Sequence, residues 1–350
     1  MKLKLLLYFT FIMAVSLMLL SCNTTEAPPP DNGNGIDTTS HNFTWQTLTF
    51  GEHSSSVFYD VAVIDENNIW AVGEIFMNDS LGNPDPIAHN AAHWDGTEWK
   101  VKKIKVEFRG NIITPPLEGV LAFSENDIWF VGSLPIHGDG NNWQMFDLRT
   151  TLDPTISLSK AWGANSDDIY FVGRAGSIAH YTNSQWTKIE SGTDLDINDV
   201  WGIANNDGTS TVLCAAYVFG SGGEKKLLKV QGSSVSEIDW MNNKELYTVW
   251  FKSLDKIYAG GEGLFYRTNN TWMQEDLPPL FKFRVRGLGY NDIWTVGGFG
   301  LAAHFNGASW KSYDEALLNF GNYIGLSVTK TTVAMVGNEG SQAAVTIGHR

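Results

Sequence analysis

The segment Gly287–Tyr313 reads GLGYNDIWTVGGFGLAAHFNGASWKSY, and its pattern decides the fold. Apolar and polar residues alternate in four short runs, as expected for β-strands that bury one face. The predicted strands are Val285–Gly289, Ile293–Val296, Leu301–Phe305 and Trp310–Tyr313. Short turns separate them, and Asn306-Gly307 favours a tight hairpin because both residues tolerate positive φ. The segment therefore predicts one four-stranded antiparallel sheet.

The same pattern recurs along the chain, which makes this sheet a repeating unit. Its second strand carries the signature Ile-(Trp/Tyr)-x-Val-Gly, preceded by Asn or Asp. Clear copies are Ile69–Gly73, Ile128–Gly132, Ile169–Gly173 and Ile293–Gly297, and weaker ones are Val212–Ala216, Ile257–Gly261 and Val333–Gly337. Seven copies between residues 43 and 350 give a period of about 44 residues, which is typical of a propeller blade.

The two ends of the repeat region complement each other. The last copy lacks a Trp-bearing fourth strand, whereas Phe43–Leu48 is an isolated strand with that Trp pattern. Pairing of the two ends would remove the sheet edge that an open array leaves exposed. We therefore predict an all-β, seven-bladed β-propeller of four-stranded antiparallel blades over residues 43–350, closed by strand 43–48 joining the C-terminal blade.

The N-terminal region has the composition of a targeting segment followed by a linker. Lys2 and Lys4 precede the apolar run Leu5–Leu20, so residues 1–21 are interpreted as a signal peptide. Residues 22–42 are rich in Pro, Gly, Asn and Thr and are predicted to form a disordered tether. The alternative is an N-terminal transmembrane anchor, for which the apolar run is marginal against a span of ~20 residues.

The sequence Leu19-Leu20-Ser21-Cys22 resembles a bacterial lipobox. This resemblance implies cleavage before Cys22 and attachment of lipid to that residue. Several acyl chains would hold the protein at a membrane surface. The expected location is then the bacterial cell envelope, at the outer membrane or the cell surface rather than the inner membrane.

Charge and cysteine content exclude some classes of function. A formal net charge of −14 argues against a nucleic-acid partner. If Cys22 is lipidated, Cys214 has no partner for a disulfide, and its apolar strand predicts a small core residue. No motif predicts a cofactor or a metal site. The recurring Trp residues, and His93, His180 and His304, are interpreted as packing positions that repeat from blade to blade.

The repeat region resembles the seven-bladed β-propellers of bacterial envelope lipoproteins. More loosely, it is similar to propellers of the photosystem II assembly factor type and to sialidase-like Asp-box propellers. The last similarity rests on the Gly-x-x-Trp end of the Asp-box, at Gly96–Trp99 and Gly307–Trp310, without the Asp of that motif. Such propellers include binders, scaffolds and enzymes, so the resemblance implies a fold rather than an activity.

The first candidate site consists of links that are longer than those of the repeating unit Gly287–Tyr313. The long links from second to third strand are Glu74–Asn90, Ser133–Asn142 and Phe219–Lys225. Long loops on a rigid scaffold often carry function. The first two are on adjacent blades, so their side chains are expected to meet over one sector, unless they are simply polar surface loops. The candidates are Phe76, Asp79, Asp85, His89, His137 and Asp139.

The entrances of the first strands are the second candidate site. Alignment of the blades places one residue of each at the same register near the channel mouth. These residues are Asp60, Gly119, Lys160, Asp199, Thr248, Arg286 and Ile324. The charged members, together with Arg174 in a short link on the same face, could bind a polar ligand. The alternative is a salt-bridge ring in which Asp60, Lys160, Asp199 and Arg286 neutralise one another around water.

The sequence thus favours a membrane-anchored, non-catalytic propeller that presents one face to a protein or a glycan. The alternative is a carbohydrate-active hydrolase or lyase at the channel mouth, with Asp60 and Asp199 as paired carboxylates. A sialidase-like site would also need an Arg cluster and a Tyr–Glu pair, which the aligned positions do not supply. The pattern of residues leaves the choice between binder and enzyme open.

Overall fold

A computed structural model describes residues 37–218, 220, 222–240 and 243–350 of the chain. The predicted signal peptide, the predicted lipidation site Cys22 and residues 23–36 of the predicted tether lie outside the described residues. Residues Asp37–Arg350 form one compact unit. Within the described part of the chain, no helix has the length and apolarity needed to cross a membrane.

Seven sheets, each of four antiparallel strands, form a ring and confirm the predicted propeller. The first strands of neighbouring blades contact one another around a central channel. The first strand of the described residues is β1 (Thr44–Phe50). Blade one contains β2 (Val57–Asp65), β3 (Asn68–Ile75), β4 (His89–Trp94) and β5 (Trp99–Lys102). A separate hairpin, β6 (Val106–Phe108) and β7 (Asn111–Ile113), follows blade one.

The remaining blades follow in chain order. Blade two contains β8 (Gly119–Ser124), β9 (Asp127–Gly132), β10 (Leu134–Gly138) and β11 (Trp143–Met145). Blade three contains β12 (Leu158–Asn165), β13 (Asp168–Gly173), β14 (Ile178–Thr182) and β15 (Gln185–Lys188). Blade four contains β16 (Ile197–Ala204), β17 (Ser210–Tyr217), β18 (Lys225–Gln231) and β19 (Ser234–Ile238). Blade five contains β20 (Leu246–Ser253), β21 (Lys256–Gly261), β22 (Gly263–Thr268) and β23 (Thr271–Gln274).

Blades six and seven complete the ring. Blade six contains β24 (Lys282–Gly289), β25 (Asp292–Gly297), β26 (Ala302–Phe305) and β27 (Trp310–Ser312). Blade seven contains β28 (Gly321–Val328), β29 (Thr332–Glu339) and β30 (Gln342–His349), together with β1. Short helical segments are α1 (Leu148–Thr151) and the 3₁₀ turns Arg174–Gly176, Gly298–Gly300 and Asp314–Ala316.

The antiparallel order of the strands gives the ring two distinct faces. The upper face carries the links from second to third strands and from each fourth strand to the next blade. The lower face carries the turns from first to second and from third to fourth strands. Each first strand therefore runs along the channel from the upper to the lower face.

Strand β1 closes the ring as predicted. It pairs with β30 in antiparallel register, with Trp45 opposite Gly348. A Cβ at Gly348 would stand 2.5 Å from the Trp45 ring, so the glycine makes room for the indole. Trp45 also packs edge-on against Trp294 of blade six, with ring centroids 6.0 Å apart. This strand therefore joins the first and last parts of the chain both by hydrogen bonds and by aromatic packing.

Packing against the propeller begins before residue 43. The Thr39 N–H donates to the carbonyl oxygen of Asn306 at 3.0 Å, and Thr39 Oγ1 donates to that of Asn291 at 2.6 Å. The Tyr313 hydroxyl donates to the carbonyl oxygen of His41 at 2.9 Å. Asn291 and Asn306 lie in lower-face turns of blade six. Residues 37–42, which the sequence assigned to the tether, therefore contact the lower face.

Glycine occurs at the end of the second-strand signature for a steric reason. A Cβ at Gly73 would stand 2.0 Å from the carbonyl oxygen of Val57, and one at Gly297 would stand 1.9 Å from that of Phe281. These carbonyl groups belong to the start of the channel strand or to the residue just before it. Any side chain at the glycine would therefore push the innermost strand out of place.

The core lies between the blades and uses the recurring aromatic residues, as predicted. Trp70, Trp129 and Trp294 are almost completely buried, at 2%, 1% and 0% exposure. Cys214 is fully buried in blade four, and burial raises the pKa of its thiol, so it is a core residue.

The long link predicted at Ser133–Asn142 is wrong. Strand β10 begins directly after Ser133, whose φ of 64° makes a one-residue turn. The polar residues that follow β10 form the turn to β11 on the lower face. Pro135 and Gly138 concealed this strand, because both residue types are unfavourable inside strands. The long links of blades one and four are present, between β3 and β4 and between β17 and β18.

Candidate functional site: the channel and the upper face

A repeated β-bulge decides which residues face the channel entrance. In six blades the first strand shifts register shortly after its start, which adds one residue. The residues that then share one register are Asp60, Gly119, Lys160, Asp199, Thr248, Arg284 and Gly325. The predicted register is wrong for Arg286, which lies one pleat period beyond Arg284, and for Ile324, which is the bulge residue itself.

Asp199 lies at the centre of a buried ion cluster. Its Oδ1 accepts bonds from Arg284 Nη1 and Arg286 Nη2, both at 2.6 Å. Its Oδ2 accepts from Arg286 Nη1 at 2.9 Å, Thr248 Oγ1 at 2.5 Å and the Val249 N–H at 3.1 Å. The side chains of Asp199 and Arg284 are 0% and 1% exposed. A ligand in the channel therefore cannot contact either group.

Lys160 forms the second ion pair at this level. Its Nζ donates to Asp60 Oδ2 at 3.1 Å and to the carbonyl oxygens of Tyr59 at 3.2 Å and Glu118 at 2.5 Å. On the upper face, Arg174 Nη2 donates to the Glu118 carboxylate at 3.2 Å. Arg174 is 63% exposed and marks the solvent side of this arrangement.

The pKa values follow from this pairing. Burial alone would raise the pKa of Asp199, but the guanidinium groups of Arg284 and Arg286 outweigh it and hold that pKa well below its usual range. Burial lowers the pKa of Lys160, against the attraction of Asp60. The charged groups of the channel neutralise one another, which agrees with the salt-bridge alternative. Asp199 is also too buried to act on a substrate together with Asp60.

Three tryptophan residues below the ion cluster were missed by the sequence analysis. Trp162, Trp201 and Trp250 share one register in blades three, four and five, and Arg286 occupies it in blade six. The signal was available, because Ala-Trp or Val-Trp follows each of the predicted channel positions in these three blades. These tryptophans line a cavity of about 420 Å³ in the lower half of the channel.

Four of the predicted residues, Phe76, Asp79, Asp85 and His89, lie in the long link of blade one or at the start of β4. The Phe76 N–H donates to Ser56 Oγ at 3.0 Å, and its carbonyl oxygen accepts from the Glu52 N–H at 2.8 Å. His89 begins β4 opposite Ile75 and is half-buried, which lowers its pKa. The described contacts of Phe76 and His89 connect neither residue to the ion cluster of the channel.

His137 belongs to the repeat and not to an upper-face link. It stacks on Trp129 at 4.2 Å, and its Nε2 shares a hydrogen bond of 2.9 Å with Asp127 Oδ1. The same stacking on a second-strand aromatic ring occurs at His93, His180 and His304. The expectation that His137 meets Phe76 and His89 is therefore wrong, since β10 carries it toward the lower face.

The acidic partners of these histidines connect neighbouring blades. Asp168 Oδ1 shares a hydrogen bond of 2.6 Å with His180, and its Oδ2 accepts from Ser210 Oγ of the next blade at 2.5 Å. Asp127 accepts in the same way from Ser166. The histidines are therefore part of the blade interfaces, as predicted. No group of three or more His, Cys, Asp or Glu suited to a metal ion occurs in the described part of the chain.

The upper face also presents apolar side chains that the sequence analysis did not identify. Nine large apolar side chains are exposed among the described residues, and seven of these lie in upper-face connections. The seven are Leu81, Ile87, Ile112, Val218, Phe299, Leu317 and Phe320. Five of them lie outside the predicted long links, so comparison of link lengths could not find them all.

Fold and channel together define a seven-bladed β-propeller, and comparison with known proteins agrees. No family model and no curated protein matches the chain. The structure of YCF48 bound to D1 peptide matches with a TM-score of 0.61 and 15% identity, over 90% of this chain and 99% of that chain. YCF48 from Cyanidioschyzon merolae matches with a TM-score of 0.59 and 16% identity, over 87% and 98% of the two chains.

A third solved structure has the same architecture. The WD40 β-propeller domain of Doa1 matches with a TM-score of 0.61 and 10% identity, over 91% of this chain and 98% of that chain. At such identities the matches show the fold alone. They support the resemblance to the photosystem II assembly factor type at the level of the propeller.

Proposed function

We propose that this protein is a membrane-anchored, non-catalytic interaction propeller whose upper face binds an apolar segment of a partner protein. One observation carries the proposal: seven of the nine large apolar side chains exposed in the described residues lie on that face. Contiguous exposed apolar surface on a folded domain marks interaction sites. The charged groups of the channel, by contrast, are already paired with one another.

The densest apolar surface lies on blades six and seven. Phe299, Leu317 and Phe320 are 72%, 49% and 83% exposed. Phe281 and Phe283 lie at the entrance of blade six, with ring centroids 4.8 Å apart. The Gly298 N–H donates to the carbonyl oxygen of Phe281 at 2.9 Å, so the backbone of the link that carries Phe299 is bonded to that of Phe281. We call this surface the upper patch: Phe281, Phe283, Phe299, Leu317 and Phe320.

The upper patch is held by hydrogen bonds of its own backbone. The Phe299 N–H donates to Asn322 Oδ1 at 3.2 Å, and the Phe320 N–H donates to Glu339 Oε1 at 3.2 Å. The carbonyl oxygen of Phe320 accepts from the Gly340 N–H, also at 3.2 Å. A surface fixed before binding loses little conformational entropy when a partner docks, which favours affinity.

The chemistry of the upper patch favours a protein segment over a glycan. Phe and Leu side chains offer no hydrogen-bond donors or acceptors for sugar hydroxyls. They do offer pockets and faces for the apolar anchors that dominate protein recognition. The YCF48 structure bound to D1 peptide has a similar fold, which supports the proposal that a propeller of this shape binds a peptide.

The proposed membrane anchor is compatible with this orientation. Asn291 Nδ2 donates to Asp37 Oδ2 at 2.9 Å on the lower face of blade six. Asp37 therefore lies on the face opposite the upper patch. A lipidated Cys22 would hold the protein in the cell envelope.

Selection from a random peptide display library tests the partner face. The bait is the full chain in lipid nanodiscs, and fluorescence anisotropy gives the dissociation constants of the enriched peptides. The double variant Phe299→Ala/Phe320→Ala should weaken binding at least tenfold. Met273→Ala is the matched control, because it removes an apolar side chain that is 38% exposed on β23, away from the upper face. Equal affinity of the peptides for the wild type and for Phe299→Ala/Phe320→Ala would contradict the proposal. Selective binding of the wild type to a glycan array in place of peptides would also contradict it.

Expression of Cys22→Ala in a bacterial host tests the anchor. The variant should leave the membrane fraction and lose metabolically incorporated fatty acid. Attachment of the variant that persists after its signal peptide has been cleaved would rule out the lipid anchor while leaving the peptide result unaffected.

A further inference from the structure

The lower half of the channel contains a cavity that the paired charges above it do not fill. Its volume is about 420 Å³, and the first strands of all seven blades line it. Asp60 and Arg286 form its ceiling, whereas Val63, Lys252 and Val328 line it near the lower ends of their strands. The cavity therefore opens on the lower face. Its size is suited to a small organic molecule.

One side of the cavity wall is aromatic because the sequence leaves room for indoles there. A Cβ at Gly202 would stand 2.6 Å from the Trp162 ring, and one at Gly287 would stand 2.8 Å from the Trp250 ring. Each indole thus lies flat against a strand of a following blade. Trp201 lines the wall between them. Trp250 is fully buried, so the aromatic surface that a ligand can reach comes from Trp162 and Trp201 of blades three and four.

The ion cluster above the cavity, of which only Asp60 and Arg286 line it, carries more positive than negative charge. The cluster contains three cations, Lys160, Arg284 and Arg286, and two carboxylates, Asp60 and Asp199. Its formal charge is therefore 3 − 2 = +1, in a chain whose formal net charge is −14. This local excess favours an anion at the top of the cavity.

Arg286 retains a donor for such an anion. Its two Nη atoms donate to Asp199, and its guanidinium lies 4.9 Å from the centroid of the Trp201 ring. Within the described residues its Nε–H has no acceptor, and the side chain is 15% exposed. A guanidinium has five N–H donors, so an anion can bind without breaking the pair with Asp199. Lys252 adds a second positive charge near the opening.

We propose that this cavity binds a small aromatic carboxylate. The apolar body lies along Trp162 and Trp201, and the carboxylate accepts a hydrogen bond from Arg286. The site is on the opposite side of the ring from the upper patch and does not depend on the proposed protein partner.

Two isosteric probes test the charge requirement. The carboxylate 3-phenylpropionate and the neutral 3-phenylpropanamide are titrated by calorimetry into the full chain in lipid nanodiscs. The carboxylate should bind with one-to-one stoichiometry and at least tenfold more tightly than the amide. Equal affinities, or no binding of the carboxylate at millimolar concentration, would overturn the proposal.

Four variants locate the bound probe. Ala122→Trp fills the cavity from blade two and should abolish binding, whereas Ala308→Trp places the same side chain on an exposed turn outside the channel. Lys252→Glu reverses a charge at the rim and should weaken carboxylate binding at least threefold, whereas Lys105→Glu does so on an exposed strand connection elsewhere. Both control variants should bind as the wild type does. Unchanged binding in Lys252→Glu, or in a folded Ala122→Trp protein, would overturn the assignment.

Discussion

Blades three and six build the same turn between their second and third strands but place different residues at its apex. The apex of blade three is Ala175, with φ 48° and ψ 44°, and that of blade six is Phe299, with φ 55° and ψ 35°. Each apex N–H donates to a side-chain oxygen of the following blade, Asp196 at 2.9 Å or Asn322 at 3.2 Å. The two backbones are therefore equivalent, and Ala satisfies the turn.

The difference teaches that the fold does not explain Phe299. Positive φ is unfavourable for a bulky residue, and 72% of this side chain is exposed to water. Neither the turn nor the core therefore favours a phenyl ring at this position. A residue that breaks a local rule without a structural benefit indicates a function, which we infer to be contact with a partner.

The largest expected effect comes from the channel, where the same two blades contribute cations at one register. Arg284 of blade six pairs with Asp199, which is fully buried, whereas Lys160 of blade three pairs with Asp60, which is 16% exposed. Asp199→Asn leaves Arg284 buried without its counter-ion and should lower the free energy of unfolding by about 3–5 kcal/mol. Lys160→Met should lower it distinctly less. Urea denaturation measures both changes.

The control for this pair of variants is Asp167→Asn. It removes one negative charge from an exposed turn of blade three and should leave the free energy of unfolding nearly unchanged. A loss smaller than about 1 kcal/mol in Asp199→Asn would show that the buried cluster does not stabilise the ring as described.

Exchange of the two apex residues tests the comparison directly. Phe299→Ala should change the free energy of unfolding by less than about 1 kcal/mol, because Ala175 already occupies the same turn. It should weaken a peptide selected on the upper face about tenfold, since exposed aromatic anchors dominate such contacts. Ala175→Phe should not create binding on blade three. Anisotropy and thermal unfolding give the two readouts, and a severely destabilised Phe299→Ala protein would reverse our interpretation.

Two histidines that occupy equivalent positions should contribute differently to the pH dependence of stability. His304 of blade six lies with its Nδ1 3.0 Å from His41 Nδ1, whereas His180 of blade three has no such neighbour among the described residues. Burial, and then repulsion by His304 and Lys311, lowers the pKa of His41 from 6.5 to about 4. Between these values the unfolded chain binds more protons than the folded chain. The free energy of unfolding should therefore fall as the pH drops from 6.5 to 4.

The expected loss is about 1 kcal/mol, the contribution of one hydrogen bond. Melting temperature measured against pH is the readout. His41→Gln cannot titrate and should make this part of the curve less steep, although His304, His89 and His93, whose pKa values burial also lowers, still contribute. His180→Gln should leave the curve unchanged. Asp292 and Arg350 also face His304 and remain unchanged in both variants. Superimposable curves for wild type and His41→Gln would exclude His41 as the cause.

The smallest effect is expected one residue before the apex. Blade three has Arg174 there, paired with Glu118 at 3.2 Å, and blade six has Gly298. Arg174→Ala should lower the free energy of unfolding by less than about 1 kcal/mol, because exposed ion pairs contribute little. Thermal unfolding in low and high salt is the measurement. A larger loss that persists in high salt would indicate packing by the arginine stem.

The sequence predicted the fold well because each blade solves the same packing problem with the same residues. Buried aromatics and the steric glycine recur at fixed spacing, and the orphan strand before residue 50 revealed how the ring closes. The register of the channel was harder to predict. Alternation has a period of two residues, so it could not distinguish Arg284 from Arg286, and the bulge displaced Ile324 by one residue.

The candidate site was less predictable, for a different physical reason. Whether a charge is available depends on what surrounds it in space, and the sequence left open whether Asp199 could bind a ligand or was paired in a salt bridge, until both of its arginine partners were located. Exposure also escapes a sequence pattern. Phe299 reads as an apolar residue in a short link, and only the folded turn shows that its ring points into solvent.

The pairing of β1 with β30 also sets the order of events in time. Thr44 faces His349, so β1 must wait until a strand about 300 residues later has been synthesised before it finds its partner. Contacts this distant in sequence make folding slow. Until then β1 leaves an unpaired edge that invites aggregation. A chaperone or a late export step would therefore be most needed until β30 has been synthesised, and loss of β30 alone should leave the ring open.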